Sequence, residues 1–154
     1  MRVVLQRVAH AGVKVDGKVT GAIENGLLVL AGIAPEDNEA VLRTVAEKIV
    51  GLRIFEDSEG KMNLSVKDVN GRMLVISQFT LYADCKKGRR PSFTNAAGGQ
   101  IAKELYERFV AICEELMESG VETGVFGADM KVELLNDGPV TIVIDSADLA
   151  IKGN

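Results

Sequence analysis

The chain has 154 residues, of which 47% are hydrophobic and 26% charged, and a formal net charge of −4. That is the size of one domain able to bury roughly two thirds of its unfolded surface, and the acidic balance disfavours broad, sequence-blind binding to nucleic acid, which rests on neutralising phosphates. No stretch approaches the ~18–20 apolar residues of a membrane span, and Met1-Arg2 leads into a strand-like run rather than a secretory leader, so a single domain over residues 1–154, cytoplasmic and without membrane attachment, is expected.

Met1 to Val8 reads as a strand. Val13-Lys14-Val15 and Val19 flank Asp16-Gly17, a two-residue hairpin signal. Gly26 to Ile33 is a continuous apolar run, the pattern of a strand covered on both faces. Pro35-Glu36-Asp37 opens a predicted helix in which Val41, Leu42, Val45, Ile49 and Leu52 form one apolar stripe and Gly51 is the stop. Leu52 to Phe55 reads as a strand, with a turn through Asp57-Ser58-Glu59-Gly60. Asn63 to Val66 and Met73 to Tyr82 read as two more, joined around Asn70-Gly71. After a basic loop, a second helix is predicted over Gly98 to Glu118, with Ile101, Leu105, Phe109, Ile112 and Leu116 as its stripe. Lys131 to Leu135 and Val140 to Asp145 are predicted to form a hairpin pivoting on Asn136 to Pro139. The order describes a mixed, sheet-rich α/β single domain. Two helices are too few to cover both faces of a doubly wound sheet, so two β-sheets packed together with the two main helices outside are expected.

Several chemistries are missing from the sequence. The single histidine, His10, precludes a two-His zinc site within one chain. No nucleophile-elbow pattern is present, and Gly98-Gly99 lacks the spacing and the lysine–hydroxyl pair of a phosphate loop. Cys85 and Cys113 have neither metal-ligand spacing nor a disulfide framework. Cys113 falls in a helical apolar pattern and reads as a small core residue, whereas Cys85 in the basic loop is either simply exposed or reactive. No metal and no organic cofactor is expected.

Two short segments remain. Ser77-Gln78-Phe79-Thr80-Leu81-Tyr82 closes an apolar run with polar groups where a buried strand meets a surface. If the strand continues regularly, Gln78 and Thr80 share one face, and Ser77 and Phe79 the other. Asn136-Asp137-Gly138-Pro139-Val140-Thr141 places Gly-Pro between two apolar runs. Each segment has a plain reading, as a strand end satisfying backbone groups and as a stiffened turn.

Both segments also resemble the signature motifs of the D-aminoacyl-tRNA deacylases, SQFTLY-like and N-x-G-P-x-T, in the same order and at matching separation. The resemblance runs from Met1 to about Asp145 and implies the three-layer fold of that family. It implies a metal-independent homodimeric hydrolase that cleaves D-amino acids, and mischarged glycine, from the 3′ end of aminoacylated tRNA. Ser77, Gln78, Phe79 and Thr80 would form the catalytic pocket around the terminal adenosine. Gly138-Pro139 would reach the partner subunit's active site, joined there by a cis peptide bond, and reject L-amino acids sterically. Arg7 would hold that loop, Asn136 belongs to its motif, and Met130 would line the pocket, although an edge-strand cation and a core methionine are the plain readings of Arg7 and Met130. Lys86, Lys87, Arg89 and Arg90, four cations in five positions, are either a solvated loop or a tRNA contact.

Thr80 invites a nucleophile assignment, yet no base stands obviously beside it. An aminoacyl ester is already activated and carries a vicinal 2′-hydroxyl, so backbone N–H groups near Phe79 and Thr80 facing a developing oxyanion would suffice. Two rivals stand beside this reading. One is a relaxed-chirality relative acting on L-alanyl-tRNA, whose Gly-Pro bond is trans. The other is a binding module that holds an RNA end or small ligand without turnover.

Overall fold

Strand β1 (Arg2–Val15) organises the computed structural model, which describes residues 1–151. One of its edges pairs antiparallel with β8 (Lys131–Asp145), from Arg2 opposite Asp145 to Lys14 opposite Lys131. The other edge is shared: Arg2 to Val8 pair with β3 (Gly26–Gly32), and Ala11 to Val15 with β2 (Lys18–Ile23). Asp16 (φ 50°) and Gly17 (φ 77°) supply the two left-handed residues that a tight β1–β2 hairpin requires. Beyond β3 the pairing turns parallel, first to β6 (Arg72–Ser77) and then to β7 (Val121–Thr123). A second, two-stranded sheet consists of β4 (Phe55–Glu56) and β5 (Met62–Leu64).

Two helices, α1 (Glu39–Gly51) and α2 (Gly99–Leu116), cover one face of the large sheet. Alternation along the central strands divides their side chains between two cores. Leu27, Val29 and Ala31 of β3 and Met73 and Val75 of β6 pack in the core that holds Leu42, Ile49, Phe109 and Ile112 of the helices. Leu28, Leu74 and Ile76 face the other way, into a cluster with Val8, Ala11, Val13 and Ile23. That second cluster exists because the far half of β1, with β2 and the near half of β8, folds over the sheet. The approach is close enough that a β-carbon on Gly21 of β2 would stand 2.5 Å from the Thr123 carbonyl oxygen of β7. The mixed α/β class, with helices outside and β layers packed together, is therefore present as expected.

Some boundaries differ from the sequence reading. α1 starts at Glu39, with Asn38 as its cap accepting from the Val41 N–H at 3.0 Å. Asp37 turns inward instead and holds the N-terminal ammonium of Met1 at 2.6 Å and the Ala34 N–H at 2.8 Å. In α2 the buried stripe is Ala102, Tyr106, Phe109, Ile112 and Cys113, while Ile101 is 61% exposed. Tyr106 fits inside because its hydroxyl donates to the Val75 carbonyl at 2.8 Å. The strands read at Leu52–Phe55 and Asn63–Val66 shrink to Phe55–Glu56 and Met62–Leu64, and β7 was too short for its alternation to be visible. The largest correction concerns Lys131–Asp145. It is one strand paired with β1 on both sides of this segment, so Asn136 to Pro139 interrupt a strand rather than reverse the chain.

Burial pushes the Cys113 thiol up to about 12, whereas Cys85 is exposed. One thiol should therefore react with a disulfide reagent at pH 8 in the native protein, and both should react after denaturation; two fast native equivalents would contradict the packing of α2.

Candidate active site

β6 delivers its last residue, Ser77, opposite Ala31 of β3, and there the regular strand ends. Gln78 (φ −146°, ψ 79°) breaks the extended geometry and begins a single 3-10 turn over Phe79–Tyr82. The Met73–Tyr82 strand of the sequence reading is thus cut at Ser77, and side chains beyond it no longer alternate. The Gln78 N–H still donates to the Ala31 carbonyl at 2.8 Å, and Leu81 and Ala83 donate back to Gln78 and Thr80 at 3.3 and 3.1 Å. The N–H groups of Phe79 and Thr80 have no backbone acceptor among the described residues. The side chains of Gln78 and Thr80 meet nevertheless, Gln78 Nε2 donating to Thr80 Oγ1.

Beside this turn lies a cleft of about 540 Å³ lined by Ser77, Gln78, Phe79, Phe93, Ala96 to Gly99, Phe126 to Met130 and Val132, among others. Its walls are unusually small around the α2 N-terminus, where Ala96, Ala97, Gly98, Gly99 and Ala102 leave the space open. Phe79, 57% exposed, meets Phe93 edge to face at 5.1 Å between ring centres, so the mouth presents an aromatic pair to solvent. Asp129 is the one ionisable side chain in the described lining, and it is exposed and ion-paired with Lys131 at 3.0 Å. Met130 lines the cleft and also packs against the second core. Thr80 is exposed and its hydroxyl occupied by Gln78, with no imidazole, amine or carboxylate bonded to it among the described residues. His10 is exposed on β1 opposite Leu135 and does not line the cleft.

The Gly-Pro segment lies elsewhere. Gln6 pairs with Thr141 and Val8 with Asn136, so residues 137–140 bulge from β8 opposite the single residue Arg7. Asn136 closes the base of this bulge, its Oδ1 accepting from the Val140 N–H and its Nδ2 donating to Thr141 Oγ1, both at 2.9 Å. Arg7 is 6% exposed rather than a surface cation. Its Nε donates to the Asp137 carbonyl at 3.0 Å and its Nη1 to the Ile54 carbonyl at 2.7 Å. Gly138 has φ +133°, and a β-carbon there would meet Val140 Cγ2 at 2.9 Å and Arg7 Nη2 at 3.0 Å, so glycine is required. The Gly138–Pro139 peptide is cis. Arg7 pairs with Leu27 near one end of β3 and Ser77 with Ala31 near the other, so one chain does not bring the two motifs together.

The basic loop stands next to the cleft. Asp84 and Ser92 pair through two backbone bonds of 2.7 and 2.9 Å, closing a loop that carries Lys86, Lys87, Arg89 and Arg90. All four are exposed, and none has a carboxylate partner within 4.0 Å among the described residues. The loop starts just after the 3-10 turn and its far strand leads to Phe93 in the cleft wall. Phe93 and the small residues at the start of α2 escaped the sequence reading. An aromatic ring in a polar loop was the available signal for Phe93; Gly98-Gly99 was weighed only as a phosphate loop.

Residues 4–145 match the family described as D-Tyr-tRNA(Tyr) deacylase. Proteins called D-aminoacyl-tRNA deacylase are 58% identical in Thermosipho africanus, over 95% of this chain and 97% of that one, and 59% identical in Desulfatibacillum aliphaticivorans, over 95% and 99%. Among solved structures, a c-Myc DNA unwinding element binding protein is 39% identical with a TM-score of 0.89, covering 94% of this chain and 98% of its own. A probable eukaryotic D-amino acid tRNA deacylase, 18% identical with a TM-score of 0.80 over 93% and 97%, shares the fold. The chain belongs to the D-Tyr-tRNA(Tyr) deacylase family.

Because Arg7 satisfies two carbonyl groups from within the protein, Arg7→Met should cost about 2 kcal/mol and lower Tm by roughly 4–8 °C. A thermal melt within about a degree of wild type would mean that water replaces the guanidinium at no cost.

Proposed function

We propose that this member of the family hydrolyses the ester linking a D-amino acid to the 3′-terminal adenosine of tRNA, without a metal, and releases the free amino acid and tRNA. The observation that carries this reading is the pair of N–H groups at Phe79 and Thr80 that have no backbone acceptor among the described residues, at the edge of a cleft almost without ionisable side chains in its described lining. Such a cleft suits a substrate that is already activated. Water attacks the ester carbonyl carbon, and the developing oxyanion accepts from the two amides. The C–O bond to the ribose then breaks, its oxygen leaves with a proton, and the amino acid departs as a carboxylate. A backbone donor of this kind contributes roughly 3–4 kcal/mol of barrier lowering. The vicinal 2′-hydroxyl of the substrate relays the proton, and Thr80 serves as a hydrogen-bond partner of Gln78 rather than as a nucleophile.

Selection by chirality is assigned to the Gly138-Pro139 bulge of a second subunit. It is supported by the distance between the two motifs within one chain and by the anchoring of the bulge through Arg7 and Asn136. Leu135 and Val143, 54% and 64% exposed on either side of the bulge, offer apolar surface to a second copy. Docked in the partner's cleft, the bulge leaves room for hydrogen on one side of the α-carbon and none for a side chain there. Glycine, having no side chain, passes the same filter, so mischarged glycyl-tRNA is also a substrate. The four exposed cations beside the cleft take the phosphates of the acceptor end, and the net negative charge elsewhere confines RNA contact to that end. Cytoplasmic tRNA recycling is the setting this activity fits.

The reading is tested by mixing the purified protein with D-Tyr-tRNA and L-Tyr-tRNA in EDTA. The D-ester alone should be lost, and Thr80→Ala should retain activity within about tenfold of wild type, well short of the 10²–10³ that one oxyanion donor is worth. Gly138→Ala should narrow the preference for D over L, because its β-carbon displaces the bulge from Arg7. A second reading, binding of charged tRNA without turnover, is favoured by the missing general base; it prevails if both esters survive while the tRNA is retained.

A further inference from the structure

The turn that carries the Phe79 and Thr80 amides is held by Arg2 and Asp145, two residues outside both motifs. Arg2, on β1, sends Nη1 to the Leu81 carbonyl at 2.8 Å. Its Nε and Nη2 stand 3.0 and 2.9 Å from the Asp145 carboxylate on the neighbouring strand. The guanidinium carbon lies 4.8 Å from the centre of the Tyr82 ring, a cation–π contact. One planar group thus takes hold of two consecutive residues of the turn and a carboxylate of the sheet, which the rigid fork of arginine allows and a lysine ammonium does not. Asp145 is itself fixed, its Oδ1 accepting from the Ala147 N–H at 2.9 Å. Gly32, opposite Arg2 on β3, completes the floor: a β-carbon there would stand 3.1 Å from the Gln78 carbonyl oxygen and from Leu81 Cβ.

The 3-10 turn has few other ties to the sheet. The Gln78 N–H to Ala31 bond anchors its start, while its remaining backbone bonds run within the turn. Pulling on Leu81 from below therefore sets the tilt of the whole turn about Gln78, and with it the direction of the two free amides. We propose that Arg2 is a positioning residue for the reaction: through Leu81 and Tyr82 it fixes where the Phe79 and Thr80 N–H groups point. This rests on the deacylase reading above for its catalytic consequence, and on the contacts alone for its structural one. The Tyr82 ring that faces Arg2 is itself partly buried. The Tyr82 hydroxyl is pushed well above its ordinary range, first by burial and then by the Asp37 and Asp145 carboxylates, so the ring stays neutral beneath the cation at all working pH values.

The experiment compares wild type with Arg2→Met, Arg2→Lys and Asp145→Asn in three readouts: kcat and KM on D-Tyr-tRNA, hydrogen exchange of the peptide spanning residues 77–83, and urea stability. Arg2→Met should lower kcat about tenfold with KM within about twofold, since misaligned amides fail the transition state more than they weaken binding. Exchange in 77–83 should rise in the same variant. Arg2→Lys, which still reaches one of the three partners, should recover part of the lost kcat, and Asp145→Asn should reduce kcat by less than Arg2→Met. The proposal is overturned if Arg2→Met shows wild-type kcat despite a lowered urea midpoint, because Arg2 then only stabilises the fold. Unchanged exchange at 77–83 in Arg2→Met and Asp145→Asn overturns it as well. That readout does not depend on turnover, so it separates this proposal from the deacylase reading, which fails if wild type itself leaves D-Tyr-tRNA intact.

Discussion

The ribbon formed by β1 and β8 changes the core it serves at Arg7, and the remaining architecture depends on that crossing. Before it, Val3 and Leu5 pack with the helices, together with Ile144 on the partner strand. After it, Val8, Ala11 and Val13 pack in the second cluster, against Val132 and Leu134. A regular antiparallel ladder cannot make that change, because strict alternation keeps each residue on its own face. Two register shifts around Val8 and the bulge over residues 137–140 absorb it. The bulge exists because the ribbon must twist there, and the folded-over half of the ribbon becomes one wall of the cleft.

A buried guanidinium holds this crossing. Burying a charge is expensive unless its donors are satisfied, and Arg7 is satisfied by main-chain oxygens of Ile54 and Asp137, with the Asp137 carboxylate 3.8 Å away at the surface. The arrangement ties two separated stretches of chain to a side chain of β1. It also leaves the Gly138-Pro139 bulge rigid from behind and exposed in front, a form suited to insertion into another molecule. The bulge and the cleft lie near opposite ends of β3. In the proposed two-fold assembly each copy would supply what the other lacks.

The cleft offers fixed dipoles rather than titrating groups. With Asp129 as the sole ionisable side chain in its described lining, the proposed chemistry rests on backbone N–H groups and on the substrate. Backbone donors cost no reorganisation when charge develops, provided that the turn carrying them is held still. The ties beneath the turn, from Arg2 and from the Ala31 carbonyl, are the counterpart of an empty-looking active site.

Much of this was legible in the chain. Apolar patterning located both helices and the buried β3, and the Asp16-Gly17 turn signal located the first hairpin, because each is set by local geometry and by which faces meet water. The two motifs pointed to the family, and Ser77 to Phe79 and Met130 do line a cleft. From local residues alone Arg7 read as an edge-strand cation, and only the family resemblance gave it the Gly-Pro loop to hold; nothing local announces that an arginine is buried, and the carbonyls of Ile54 and Asp137, far away in sequence, make it so. The Gly-Pro segment looked like a hairpin turn because turn residues mark a break in the ladder, not what the chain does next. Pairing with one continuous strand, β1, turned that break into a bulge. The polar end of β6 was visible, but its 3-10 turn and free amides follow from the place where β3 stops pairing. Sequence alone determined which residues could bury, turn or react; the tertiary pairing of β1 with β8 decided where they met, because contacts between distant segments have no local signature.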